Sequence, residues 1–240
     1  MSRRMIFVFV SLVLSFVLVH GQSLDEILKK HYEARGGLKN IRAIRTAEFK
    51  GKMSMMGKDF PMTIYRKRAG GFRSEFSMGD KSVLQVYDGK SGWQINPMMG
   101  SKEPAEITGN GLRDVQEQAD IDGILIDWKE KGYKLSLVGK EKLNDKDAFN
   151  LKIIRKDSTE QEMFIDSKTY LKVRQSEKMI LRGKEFNIVT TFSDFRKIDN
   201  VTVPFMQEVA GAMPQKIQFE KIIFNKTIPD SLFVKPSVQK

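Results

Sequence analysis

Residues 45–97 read RTAEFKGKMSMMGKDFPMTIYRKRAGGFRSEFSMGDKSVLQVYDGKSGWQINP. Apolar Phe49, Met53 and Met55 alternate with Lys50, Lys52 and Ser54. After Gly57-Lys58, Phe60, Met62 and Ile64 alternate with Thr63, Tyr65 and Lys67. After Ala69-Gly70-Gly71, Phe72, Phe76 and Met78 alternate with Arg73, Glu75 and Ser77. Val83 to Tyr87, the turn Asp88-Gly89 and a run holding Trp93 and Ile95 complete the stretch. Period-two alternation between Gly-rich turns predicts short neighbouring strands with one apolar and one charged face, an antiparallel meander.

Toward the C-terminus the pattern breaks and then returns. Residues 97–111 are rich in Gly, Pro and polar side chains, which predicts a loop. Between residues 112 and 131 the apolar positions are Val115, Ala119, Ile121, Ile124, Leu125, Ile126 and Trp128. That spacing predicts one or two short amphipathic helices broken near Gly123. Alternation resumes at Leu135 and continues to Ile223, punctuated by Asn144-Asp145, Asp166-Ser167, Arg182-Gly183, Asp199-Asn200 and Gly211. The whole chain reads as about ten or eleven strands.

Toward the N-terminus a helix precedes the strands. Ser23 and Glu26 have capping-box spacing. Leu24, Ile27, Leu28 and Tyr32 recur at helical period, and Gly36-Gly37 ends the run. His31, beside the stripe, reads as a packed or surface residue. Before the helix, Arg3 and Arg4 lead an apolar run from Ile6 to Val19 that ends at His20-Gly21. The run is shorter than the roughly 20 residues of a spanning helix. It reads as an export signal, residues 1–21, cleaved after Gly21, which leaves residues 22–240 as one exported domain.

A one-sided antiparallel sheet must cover its apolar face. The helices available are the N-terminal one and the 112–131 segment. The expected object is mainly β: a curved, half-open antiparallel barrel of about eleven strands with an N-terminal helix and a central helical lid. Its apolar interior need not be filled by its own side chains.

Composition narrows the chemistry. The 240 residues are 40% hydrophobic and 30% charged, a globular balance. There is no cysteine, which excludes disulfides, Cys-ligated metals, a Cys nucleophile and an acylated N-terminal Cys. Only His20 and His31 are present, too few for a multi-His metal site. The formal charge is +11, but the basic residues are interspersed with Asp and Glu. For an exported protein that balance favours anionic surfaces or acidic partners over nucleic acid.

The segment Arg66-Lys67-Arg68-Ala69-Gly70-Gly71-Phe72-Arg73, followed by Tyr87-Asp88-Gly89-Lys90, Trp93 and Asn96-Pro97, resembles the LolA family, periplasmic carriers of outer-membrane lipoproteins. Asp127-Trp128 and the ending Ile228-Pro229-Asp230-Ser231-Leu232-Phe233 with Pro236 extend the resemblance over most of the chain after residue 21. It implies a half-open, eleven-stranded barrel lidded by helices that holds lipoprotein acyl chains. It sets the family's lid-contacting arginine on Arg68, whose side chain would bond lid backbone carbonyls and keep the empty form shut. The chain departs from the family at Ala69, where the family usually has Pro.

In a carrier the apolar faces become cavity lining. Met53, Met55 and Met62 offer adaptable thioethers for alkyl chains. Phe49, Phe60, Ile64, Phe72 and Phe76 serve as lining or core, and Trp93 is placed with them. Leu28, Val115, Ile121, Ile124 and Leu125 are assigned to the lid. The partners expected are an acylated lipoprotein or other lipid, a transient inner-membrane donor and a transient outer-membrane acceptor. The chain is expected to be a monomer, with no nucleic-acid partner, cofactor, metal or catalytic group. Two other classes stand beside this one. One is a sensor of another lipid or of mislocalised lipoprotein. The other is an enzyme using Asp120 with Asp122, or Asp145 with Asp147, although Asp is expected at such turns for backbone reasons.

Overall fold

The computed structural model describes residues 22–79, 81–97, 100–181 and 183–237. The segment read as an export signal lies outside these residues. Two helices open the fold, α1 (Leu24–Ala34) and α2 (Leu38–Arg42). A first run of strands follows: β1 (Thr46–Met55), β2 (Lys58–Lys67), β3 (Gly71–Met78), β4 (Lys81–Asp88), β5 (Gly92–Asn96) and β6 (Ser101–Ile107). After α3 (Gly109–Ala119) and an irregular stretch come β7 (Lys134–Leu143), β8 (Lys146–Ile154), β9 (Glu160–Asp166), β10 (Lys172–Leu181), β11 (Lys184–Ile198), β12 (Val201–Ala210) and β13 (Gln215–Phe224).

The molecule is mainly β. Among the described residues thirteen strands form one antiparallel sheet in the order β6-β5-β4-β3-β2-β1-β13-β12-β11-β10-β9-β8-β7. β6 and β7 are the two edges and do not pair, so the sheet is open. The number of strands exceeds the eleven expected. β6 lies in the Gly- and Pro-containing segment read as a loop.

Local chemistry sets the connections. Asn144 and Asp145 have φ of 46° and 65°, and Asp199 and Asn200 have φ of 44° and 68°. Two consecutive positive φ values make the two-residue hairpin whose twist matches its strands, and Asn and Asp tolerate that region best. The pairs Leu143–Lys146 and Ile198–Val201 close these hairpins.

α1 forms where the capping box lies. Ser23 Oγ accepts from Glu26 N, and Glu26 Oε2 accepts from Ser23 N. Ile27, Leu28 and His31 are its buried positions. Ile27 and Leu28 pack with Leu151, Ile153, Met163 and Ile165 of β8 and β9. Burying one such aliphatic side chain stabilises by about 1.5–3 kcal/mol. At the end of α1, Gly36 has φ of 110° and an added Cβ would lie 1.9 Å from Asn200 O. The helix end is thereby pressed onto the β11–β12 turn, where Thr202 N donates to Arg35 O.

The core has two main parts. Val115 and Ala119 of α3 are buried with Phe72, Tyr87 and Ile64, on the cluster that continues to Phe205 and Phe219. The other is the α1 cluster just described. The expected second helix after Gly123 does not form. Gly123, Asp127 and Gly132 have φ of 81°, 53° and 76°, incompatible with a continuous right-handed helix. Residues 120–133 instead run as successive turns from α3 to β7. The segment from 108 to 133 therefore spans the two free edges of the sheet. No helix among the described residues is long and apolar enough to cross a membrane.

Candidate functional site

Beneath that spanning segment lies a cavity of about 550 Å³. Its walls come from seven strands, β1, β2 and β9 to β13, so the sheet curls around it. Phe49, Met62, Ile64, Phe192, Ile217 and Phe219 supply apolar wall. Ile121, Ile124 and Leu125 supply the lid side.

Strand register decides which expected lining residues reach it. Phe49 pairs with Ile64, and Met62 with Phe76, on the concave face. Phe49, Met62 and Ile64 line the cavity. Met53 and Phe60 pair with each other further along this face and are buried. Met55, beside the β1–β2 turn, and Phe76 are half-buried on the same face, outside the lining. Phe72 is fully buried under α3. Trp93 lies on the other face. It pairs with Val86 and Glu106, and Val86 pairs with Arg73, in register with Tyr65 and Glu48. Side chains alternate, so a residue in register with Glu48 cannot share a face with Phe49. Of the lid positions, Leu28, Ile124 and Leu125 pack with the α1 cluster, and Val115 and Ile121 with the other.

Arg68, in the β2–β3 turn, reaches the lid. Its Nη1 and Nη2 donate to Asp122 Oδ2 and Oδ1 at 2.7 and 2.8 Å, a bidentate pair. Its Nε donates to Ile44 O at 2.8 Å and Nη2 to Ile41 O at 3.2 Å. The lid acceptor is thus a carboxylate, and the carbonyls bound by Arg68 belong to α2 and the residues after it. The two side chains are 26% and 15% exposed, so the pair is shielded from water enough to matter. The hydrogen bond from Arg68 holds the Asp122 carboxyl below its ordinary range.

The lid carbonyls are held from α1. Arg35 Nη1 donates to Asp122 O at 3.0 Å, and Tyr32 Oη donates to Leu125 O at 2.6 Å. Arg42 pairs with Asp127 at 2.7 Å. Lys131 bonds Asp120 and Gly123 O within the lid itself. At the other end, Arg155 joins Glu117 of α3 to Glu177 of β10, with its own side chain 3% exposed. Arg35 and Arg155 were not singled out from the sequence, and Tyr32 was read only as part of the apolar stripe of the first helix. Asp120 and Asp122 were noted as turn residues and as one candidate catalytic pair.

The lining carries charge as well. Arg35, Arg66 and Lys172 face the cavity, with His31 beside them. Burial, then Arg35 and Arg66, push the Lys172 ammonium down to about 7. Burial pushes the Arg66 guanidinium down to about 10. Burial and Arg35 push His31 down to about 3, so its ring is neutral and Nδ1 donates to Tyr170 O at 2.8 Å. Among the described residues no three His, Cys, Asp or Glu side chains gather as a metal site requires.

No protein-family profile matches the sequence. No curated protein matches it either. Solved structures do match in fold. A DUF1329 family protein from Desulfovibrio piger superposes with a TM-score of 0.60 at 16% identity, over 88% of this chain and 99% of that one. A LolA superfamily protein from Nitrosomonas europaea gives 0.59 at 13%, over 90% and 99%. A domain from Vibrio parahaemolyticus named for outer membrane lipoprotein sorting gives 0.58 at 13%, over 87% and 94%. The chain has the LolA-like fold.

Proposed function

We propose that this chain is a periplasmic carrier that shelters the acyl chains of a lipoprotein or other lipid on the way to the outer membrane, without catalysing a reaction. The observation that carries the reading is the apolar-walled cavity closed by a lid held through a few polar contacts. Its fold relatives include a protein named for lipoprotein sorting.

Magnitudes favour a carrier. A buried CH₂ is worth about 0.8 kcal/mol, so a twelve-carbon chain brings roughly 10 kcal/mol out of water. A hydrogen bond to a charged group contributes about 1.5–3 kcal/mol net. Cargo can therefore outcompete the latch, while the empty protein shuts and hides its apolar wall. About 550 Å³ is the size of a small-molecule site. A lipoprotein anchor with several chains requires the lid segment to swing outward. In this reading a membrane donor loads the protein, an acceptor unloads it, and the carrier travels as a monomer.

The test is extraction. Protein purified from the periplasm of cells expressing the full chain is mixed with vesicles holding a synthetic triacylated lipopeptide. Lipopeptide remaining soluble with the protein after flotation is the expected result. Lipopeptide floating with the vesicles at every protein concentration contradicts the reading.

A further inference from the structure

The polar part of the cavity is charge-unbalanced. Four carboxylates line it, Asp114, Glu117, Asp120 and Glu177. Each is paired to a cation outside the lining: Asp114 to Arg113, Glu117 and Glu177 to Arg155, and Asp120 to Lys131. The three lining cations Arg35, Arg66 and Lys172 have no ion-pair partner among the described residues. Lys172 Nζ lies 4.0 Å from the centroid of the Phe192 ring and donates to Gln175 Oε1. Arg66 lies over Phe49 at 5.2 Å, and its Nε is buried without a hydrogen-bond acceptor. Arg35 uses one bond on the Asp122 carbonyl.

Such groups oppose folding. They come from the C-cap of α1, from β2 and from β10, they repel one another, and an unpaired buried cation is costly. An apolar cavity that takes only hydrocarbon has no use for them. Resting on the carrier reading, we infer that the cavity selects an amphiphile with an anionic head, a carboxylate or a phosphate, which Arg35, Arg66 and Lys172 bind while the alkyl chain lies along Phe49, Ile64 and Ile217. Arg35 bonds the lid as well, so the head would sit where α1 meets the lid.

The pH dependence follows from what faces Lys172: Arg35 and neutral His31 from α1, Arg66 from β2, Glu117 from α3, and Gln175 on its own strand. Its ammonium, lowered to about 7, is regained when an anion arrives. Binding therefore tightens as pH falls through that range.

Calorimetric titration of the periplasmic protein with laurate, lauroyl-lysophosphatidic acid and dodecanol tests this. One anionic ligand should bind at least roughly tenfold tighter than dodecanol. Its affinity should rise from about pH 8.5 to about pH 6. Arg66→Leu and Lys172→Met should remove that advantage, and circular dichroism with thermal melts verifies that both variants fold. Preference for laurate assigns a carboxylate head, and preference for the lysophosphatidic acid a phosphate. Equal binding of all three ligands overturns the headgroup inference and leaves the carrier reading standing. Failure of all three to bind also overturns the headgroup inference, and the carrier reading is then decided by the lipopeptide extraction.

Discussion

Lys172 carries its charge at a cost. An unfolded lysine titrates near 10.4, whereas the folded one is lowered to about 7. Between these values the unfolded chain binds more protons, so stability rises with pH from about 7 to about 10. Lys172→Met should remove that rise, checked by thermal melts across the window. Asp122 works in the opposite sense. Its folded carboxyl lies below the ordinary range, so the stability it gives is present above about pH 4 and is lost as pH falls through the folded value. Arg68→Leu deletes the same bond at neutral pH. The open form then competes better, and lipopeptide retention should increase roughly tenfold, while the thermal midpoint falls by about 2–6 °C and the protein stays folded. Unchanged retention would leave Arg68 a turn residue. Ala69 is informative for another reason. Its φ is 78°, a value the ring of Pro forbids, so the turn bearing Arg68 follows a path closed to the proline usual in the LolA family. The position of Arg68 was legible in the sequence. Its partner was not, because Asp122 lies on a lid whose path depends on the folded whole.

Elements were legible where pattern and turn chemistry agreed. The strands flanking Gly57, Gly70-Gly71 and Asp88-Gly89 lie where alternation set them, and α1 starts at its capping box. α2 has five residues, too short for a periodic stripe. β6 was hidden by Pro104 within it and by Gly100 and Gly109 on either side; Pro is tolerated because the strand is an edge. The lid's second half had helical spacing of apolar residues but three positive-φ positions in its backbone. Trp93 was set on the wrong face because its apolar size, and not its register, decided the reading. Two substitutions probe how elements are joined. Gly36→Ala forces a Cβ onto Asn200 O at a positive φ and should cost about 2–4 kcal/mol in denaturant titration. Arg155→Met leaves Glu117 and Glu177 without their buried partner. It should cost roughly 3–5 kcal/mol and increase amide exchange in α3 first.

At the scale of the molecule, the chain runs outward from β1 to one edge, crosses as the lid, and returns from the other edge to pair β13 with β1. The lid is thus tied to both free edges of the sheet, and lifting it is coupled to how far the edges spread. Alternation along the strands made a one-sided sheet legible, along with the need for something to cover it. The volume left inside and the three cations without an ion-pair partner among the described residues were not legible, since each depends on side chains brought together from distant parts of the chain. The account stands on a lipid occupying that space. Native mass spectrometry of protein taken from the periplasm, paired with lipid extraction of the same sample, tests this most directly. The expected result is a bound acylated polypeptide or a free amphiphile with an anionic head. An empty mass, together with no binding of added lipopeptide, laurate or dodecanol, would contradict it.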